Sequence, residues 1–148
     1  MYLRHPNDIP IIWHGTKWAI CLEIDRDGMN YELRQKFFFE AAHLLLRQID
    51  PDISKRIHGH TYHAEIAVSG QPDAESGMML DLAVVRAEIA RVRQLLDHRM
   101  LNEVAGLGLP TLENLCAFIF QELVKSLPTL VRVTVERPAS GDACTLSR

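Results

Sequence analysis

The stretch His58-Gly-His-Thr-Tyr-His-Ala-Glu-Ile-Ala-Val-Ser69 decides the fold. Small or apolar residues alternate with polar ones along it, the period-two pattern of a half-buried strand. The turn-rich segment Gly70-Gln-Pro-Asp-Ala-Glu-Ser-Gly77 ends it. Upstream, Tyr31-Glu-Leu-Arg-Gln-Lys-Phe-Phe-Phe39 reads as an earlier extended segment, separated from it by the polar loop Gln48-Ile-Asp-Pro-Asp-Ile-Ser-Lys-Arg56. Downstream, the period changes. Leu82, Val85, Ile89, Val92 and Leu96 recur at steps of three and four, one apolar stripe on a helix, with Asp81 suited to cap its start. Leu112, Cys116, Ile119, Leu123 and Leu127 form a similar stripe, opened by Pro110-Thr111 and closed by Pro128. Alternation returns in Leu130-Val-Arg-Val-Thr-Val-Glu136, and a short segment through Cys144 follows. The order strand, strand, helix, helix, strand, strand predicts an α+β domain whose antiparallel sheet carries both helices on one face.

Residues 1–28 read as an extension before this 29–148 core, within a single domain of 148 residues. Lys17-Trp-Ala-Ile-Cys-Leu-Glu-Ile24 has strand composition, and Asp27-Gly28 suits a hairpin turn. A helix pair on one face leaves the other face and the sheet edges open, which predicts a homo-oligomer.

Bulk properties exclude several classes. The net charge of −3 and the absence of a dense Lys/Arg run give no footprint for nucleic acid. No apolar run approaches the roughly 18 residues that cross a bilayer, and the N-terminus lacks an apolar core after a basic start, so neither membrane insertion nor secretion is expected. Cys21, Cys116 and Cys144 are odd in number, widely spaced and form no CxxC pair, which points to a reduced, cytoplasmic setting. Cys116, on an apolar stripe, reads as buried packing.

Chemistry concentrates in His58-Gly-His60. Residues i and i+2 of a strand share a face, so both imidazoles reach one point in space. A zinc ion takes histidine nitrogen at about 2.0–2.1 Å, and three protein ligands plus water make the catalytic kind of site. His43, at the end of Glu40-Ala-Ala-His43, is the natural third ligand. His5 and His14 are alternatives, whereas His63 has the wrong parity and faces away. A hydrogen-bonded pair of strand histidines is the competing reading of the same spacing.

Several motifs occur in one order: Phe39-Glu-Ala-Ala-His43, His58-Gly-His60-Thr-Tyr62, Gly77-Met-Met-Leu-Asp81-Leu82, Leu96-Asp-His-Arg-Met-Leu-Asn102, Pro110-Thr-Leu-Glu-Asn114 and Val135-Glu136. From about residue 30 onward the chain thereby resembles the 6-pyruvoyltetrahydropterin synthase family, which includes the bacterial 6-carboxytetrahydropterin synthases of queuosine biosynthesis. The resemblance implies a tunnelling fold (T-fold), a four-stranded antiparallel sheet with two helices, assembled as a barrel-like ring. It further implies a homohexamer with active sites between subunits, a Zn2+ cofactor on His43, His58 and His60, and a pterin substrate, 7,8-dihydroneopterin triphosphate, undergoing carbon–oxygen or carbon–carbon lyase chemistry.

The same resemblance assigns roles. Asp97-His98 matches the family's catalytic pair, a carboxylate that sets the tautomer of a proton-carrying imidazole; a surface residue at a helix C-terminus is the alternative for Asp97. Glu136 matches the pterin anchor, a carboxylate accepting two parallel hydrogen bonds, and otherwise reads as a solvated strand end. Thr111 matches a pterin-contacting threonine and also suits a helix N-cap, with Glu113 favourable in the first turn. The family's catalytic cysteine lies four residues before the HGH motif. Ser54 stands there, and a serine hydroxyl is a far weaker acid than a thiol. Asp52 or His98 is expected to substitute as the base, with Asp50 also nearby. The alternative is a paralogue that binds zinc and pterin without this turnover, or one that cleaves the pterin side chain differently.

Overall fold

The computed structural model describes residues 3–4, 10–14, 17–20, 29–45 and 55–148. The expectations resting on His5, Asp27-Gly28, Asp50, Asp52 and Ser54 lie outside the described residues. In the N-terminal extension, strands β1 (Leu3–Arg4), β2 (Pro10–His14) and β3 (Lys17–Ile20) pair antiparallel in the order β1-β2-β3.

The core begins with the long strands β4 (Tyr31–His43) and β5 (His58–Gly70), followed by helix α1 (Leu82–Leu96), the two-residue strand β6 (Arg99–Met100) and a 3-10 turn over Leu101–Glu103. Helix α2 (Leu112–Val124), β7 (Leu130–Arg137) and β8 (Asp142–Ser147) complete it. The sheet order is β6-β4-β5-β7-β8. Four strands are antiparallel, as expected, but β6 adds a fifth, pairing parallel with β4 through Ala41↔Arg99 and Ala42↔Met100. Two residues are too few to carry a periodicity, so the sequence does not announce this edge strand.

Alternation divides the sheet into two faces. On the helix-covered face Phe39 lies opposite Tyr62, their rings stacked at 5.0 Å, with Ile66, Val133 and Val135 alongside. Val85, Ile89, Val92 and Leu96 of α1 and Leu115, Cys116, Ile119 and Leu123 of α2 close over them. Each large apolar side chain removed from water here contributes about 1.5–3 kcal/mol. The expected α1 stripe needs one correction. Leu82 is exposed, and the buried stripe begins one turn later at Val85. Leu127 is buried but lies beyond the end of α2. Both helix starts are capped as the sequence suggests: Asp81 accepts from the Ala83 N–H at 2.8 Å, and Thr111 Oγ1 from the Asn114 N–H at 3.3 Å. Among the described residues no helix is long and apolar enough to cross a membrane.

Candidate metal centre

The β4–β5 register places His43 directly opposite His58 and Ala41 opposite His60. An HxH pair on β5 and a histidine ending β4 therefore converge on the helix-covered face. The His43 and His58 Nε2 atoms are 3.1 Å apart, and one ligand atom from each of the three residues falls within 4.8 Å of the others. Two nitrogens on a tetrahedral ion at about 2.05 Å stand about 3.3 Å apart, so the His43–His58 spacing already suits a cation.

Tautomers are set from outside the triad. His43 Nδ1 lies 3.1 Å from the Pro110 carbonyl oxygen, and His58 Nδ1 lies 2.8 Å from that of Arg56. A carbonyl only accepts, so each Nδ1 carries the proton and each Nε2 presents its lone pair to the shared point. His43 is 1% exposed. Burial pulls its pKa down to about 4, against a smaller upward pull from the Pro110 carbonyl. The ring is thus neutral at pH 7, the state in which imidazole binds a metal. These donors fit a borderline ion such as zinc.

His63 faces the opposite side, its ring 6.3 Å from that of Phe38, as its parity requires. Gly59 is not demanded by space. A Cβ there would meet Ala41 O at 3.7 Å, an ordinary contact.

The remaining expected residues occupy different places. Thr111 is the N-cap of α2 and lines a cavity of about 490 Å³ together with Tyr62, Pro110, Glu113 and Arg137. Its own backbone N–H, followed by the Thr111 hydroxyl, holds the Glu113 carboxyl below its usual range. Asp97 and His98 sit at the edge of β4. Asp97 Oδ1 accepts the Glu40 N–H at 2.9 Å, Oδ2 accepts from Arg93 at 3.0 Å, and the His98 N–H donates to the Glu40 carbonyl. The Glu40 N–H, followed by the Arg93 charge, keeps the Asp97 carboxyl below its usual range. His98 Nδ1 is 3.1 Å from Asp97 Oδ1, so the neighbouring side chains pair within one chain, and 74% of the His98 side chain is exposed. Its φ of 58° is left-handed, a region that histidine enters more readily than most side chains do. His98 borders a second, shallower cavity of about 550 Å³ that also touches Glu40, Gly59, His60 and Thr61.

Glu136 is the outlier. It pairs with His63, on the open face with Lys36, Glu65 and Thr134, while the next residue, Arg137, turns inward to within 3.4 Å of His60 Nε2. One chain therefore does not bring Glu136 to the triad.

Sequence reasoning missed two side chains at the centre, Tyr62 and Arg137. The same parity argument that joins His58 to His60 reaches Tyr62. Arg137 follows from its place one residue beyond Glu136. Cys116 is buried as expected, its thiol 3.3 Å from the Cys144 carbonyl and pushed up to about 12 by burial and by Cys144, so it offers no ready thiolate.

Together these features define an α+β protein with a three-histidine centre competent to hold a metal ion. A family model described as 6-pyruvoyl tetrahydropterin synthase matches residues 32–148. The 6-carboxy-5,6,7,8-tetrahydropterin synthase of Synechocystis sp. is 35% identical over 107 residues, covering 68% of this chain and 81% of that protein. The dihydroneopterin monophosphate aldolase of Pyrococcus furiosus is 30% identical over 95 residues, 64% and 76% of the two chains. Among solved structures, the Caenorhabditis elegans 6-pyruvoyl tetrahydropterin synthase superposes with a TM-score of 0.69 at 25% identity, over 81% of this chain and 96% of that one. The chain belongs to the 6-pyruvoyl tetrahydropterin synthase family, and its fold is the T-fold of that family.

Proposed function

We propose that the protein is a zinc-dependent lyase acting on the side chain of 7,8-dihydroneopterin triphosphate, in the manner of a 6-carboxy- or 6-pyruvoyltetrahydropterin synthase. The observation that carries this reading is the triad itself: two Nδ1 atoms bound to carbonyls, three imidazoles converging, and a buried His43 kept neutral. His43, His58 and His60 would hold the ion. A bound Zn2+ supplies Lewis acidity, lowering the pKa of a coordinated side-chain hydroxyl and stabilising negative charge on it.

The chain's own residues supply the rest. Asp97 holds His98 by Nδ1, so the opposite ring nitrogen is left to carry a proton to or from the substrate side chain. The Glu136 carboxylate anchors the pterin by accepting from its ring N–H and exocyclic amino group, with Thr111 as a further contact. Glu136 and the triad lie on opposite faces of one sheet, so we infer a site built between copies, consistent with a homohexamer and the open edge of β8. A cytoplasmic location accords with three cysteines and no CxxC pair.

A second reading has its own observation. Ser54 occupies the family cysteine's position, and a relative at 30% identity is named an aldolase for a pterin monophosphate. The chain would then cleave the pterin side chain differently, with Asp52 or His98 as base, or bind zinc and pterin without turnover. Incubating metal-loaded protein with dihydroneopterin triphosphate, and separately with the monophosphate, and weighing the products by mass spectrometry decides the matter. A carboxylated or pyruvoyl pterin from the triphosphate supports the first reading. A hydroxymethyl pterin supports the second, and unchanged substrate with a measurable binding isotherm supports the binding paralogue.

A further inference from the structure

We propose that Tyr62 and Arg137 form an anion subsite beside the histidine triad, one that takes a carboxylate or phosphate oxygen of the ligand. The inference rests on the reading above only in taking the triad as the metal site.

Two buried donors point to it. Tyr62 is 1% exposed, yet its hydroxyl has no hydrogen-bond partner among the described residues. The Arg137 side chain is 12% exposed, and its buried Nε–H likewise has none. Leaving such groups unmatched is costly, and native proteins do so rarely, so a partner oxygen is called for. Both side chains line the cavity of about 490 Å³ at the N-terminus of α2, which Pro110 and Thr111 also line. The Tyr62 ring is 5.8 Å from that of His60 and 6.4 Å from that of His43, so the side chain neighbours the triad.

Charge favours an anionic oxygen. Arg137 Nη1 lies 3.4 Å from His60 Nε2, which brings a fixed positive charge beside the triad. A metal ion on the histidines would add to that charge, and an anionic oxygen nearby would offset it. The acidic groups that border the cavity are already engaged. Asp142 accepts from Arg137 Nη2 at 2.6 Å and from the Ser140 hydroxyl at 2.7 Å, which orients the fork and leaves Nε aimed elsewhere. Glu113 is held by its own backbone N–H and by Thr111. The guanidinium only donates and the phenol can donate beside it, a set that an acceptor oxygen satisfies and a ring N–H does not.

Isothermal titration of the full chain with acetate and with inorganic phosphate, each with and without one equivalent of Zn2+, tests this. Both anions should bind, more tightly with the metal present, and the preferred one identifies the group the ligand carries. Tyr62→Phe should weaken the preferred anion about tenfold and Arg137→Met by more, with Arg137→Lys between them. Zinc stoichiometry should stay unchanged in all three variants. Tyr62→Phe removes only an unmatched hydroxyl, so its ligand-free Tm should equal or exceed that of the parent, which keeps the test sound should Arg137→Met fold poorly. Equal anion affinity in the parent and Tyr62→Phe, or no anion binding by the parent, overturns the subsite while leaving the zinc reading in place. Failure of the parent to take up zinc, with anion binding still lost on Tyr62→Phe, overturns the metal reading instead.

Discussion

Acidifying the metal-free protein should destabilise it through one side chain, His43. The folded chain holds this imidazole at about 4, against 6.5 when exposed, chiefly because burial disfavours its charged form. Between those values the unfolded chain binds the proton and the folded chain refuses it. The His43 contribution is therefore complete above pH 6.5 and is lost as the pH falls toward 4. The gap is worth about 3 kcal/mol in total, of which about 2 kcal/mol disappears between pH 7.5 and 5.0. The depressed carboxylates Glu32, Asp73, Asp97, Glu113 and Glu122 lose their contributions only below their usual range, so they stay outside this window. Urea unfolding of the parent and of His43→Gln, both in chelator, at pH 7.5 and 5.0 isolates the effect as the difference between the two pH dependences. The parent should lose about 2 kcal/mol more than the variant across this interval. Slopes that agree within about 0.5 kcal/mol would show that the buried imidazole is not held neutral, and the case for a metal-ready triad would weaken with it. Excess zinc should flatten the parent's curve near neutral pH, since ion and proton compete for the same nitrogens.

Three further outcomes follow from the placement of single residues. His58→Ala should reduce tightly bound zinc from about one equivalent to below about a tenth, measured by elemental analysis after gel filtration, because only two ligands remain. Glu136→Ala should weaken pterin binding about tenfold or more in a fluorescence titration while leaving zinc content unchanged, since the side chain is on the far face from the triad. Ser54→Cys should raise turnover of dihydroneopterin triphosphate if the missing thiol limits the chemistry, and unchanged product formation would remove Ser54 from consideration.

The sequence made the long elements legible because each has a period that survives tertiary folding. The apolar steps of Val85, Ile89, Val92 and Leu96 and the alternation from Leu130 to Glu136 mark surfaces that had to be buried. The triad was legible for the same reason, since parity alone places His58 beside His60 and an antiparallel neighbour ending in histidine supplies the third ring. What escaped was set by contacts distant in sequence. Strand β6 exists because His98 and Asp97 clasp the Glu40 backbone, hydrogen bonds spanning more than fifty positions that no local pattern encodes. The exposure of Leu82 at the first position of α1 depends on how the helix sits on the core, which its apolar step alone does not give. Arg137 was overlooked because a charged residue at a strand end usually reaches water, whereas here Asp142 folds back from β8 to hold it inward.

The alternation along β7 carries a final consequence. Consecutive side chains, Glu136 and Arg137, look through opposite walls of a single layer of backbone, so no bicyclic ring gripped by one can touch the metal neighbouring the other without crossing to a second molecule. If the proposed assembly forms, dilution into monomers should separate its two proposed properties: cation uptake would persist, and capture of the pterin would vanish.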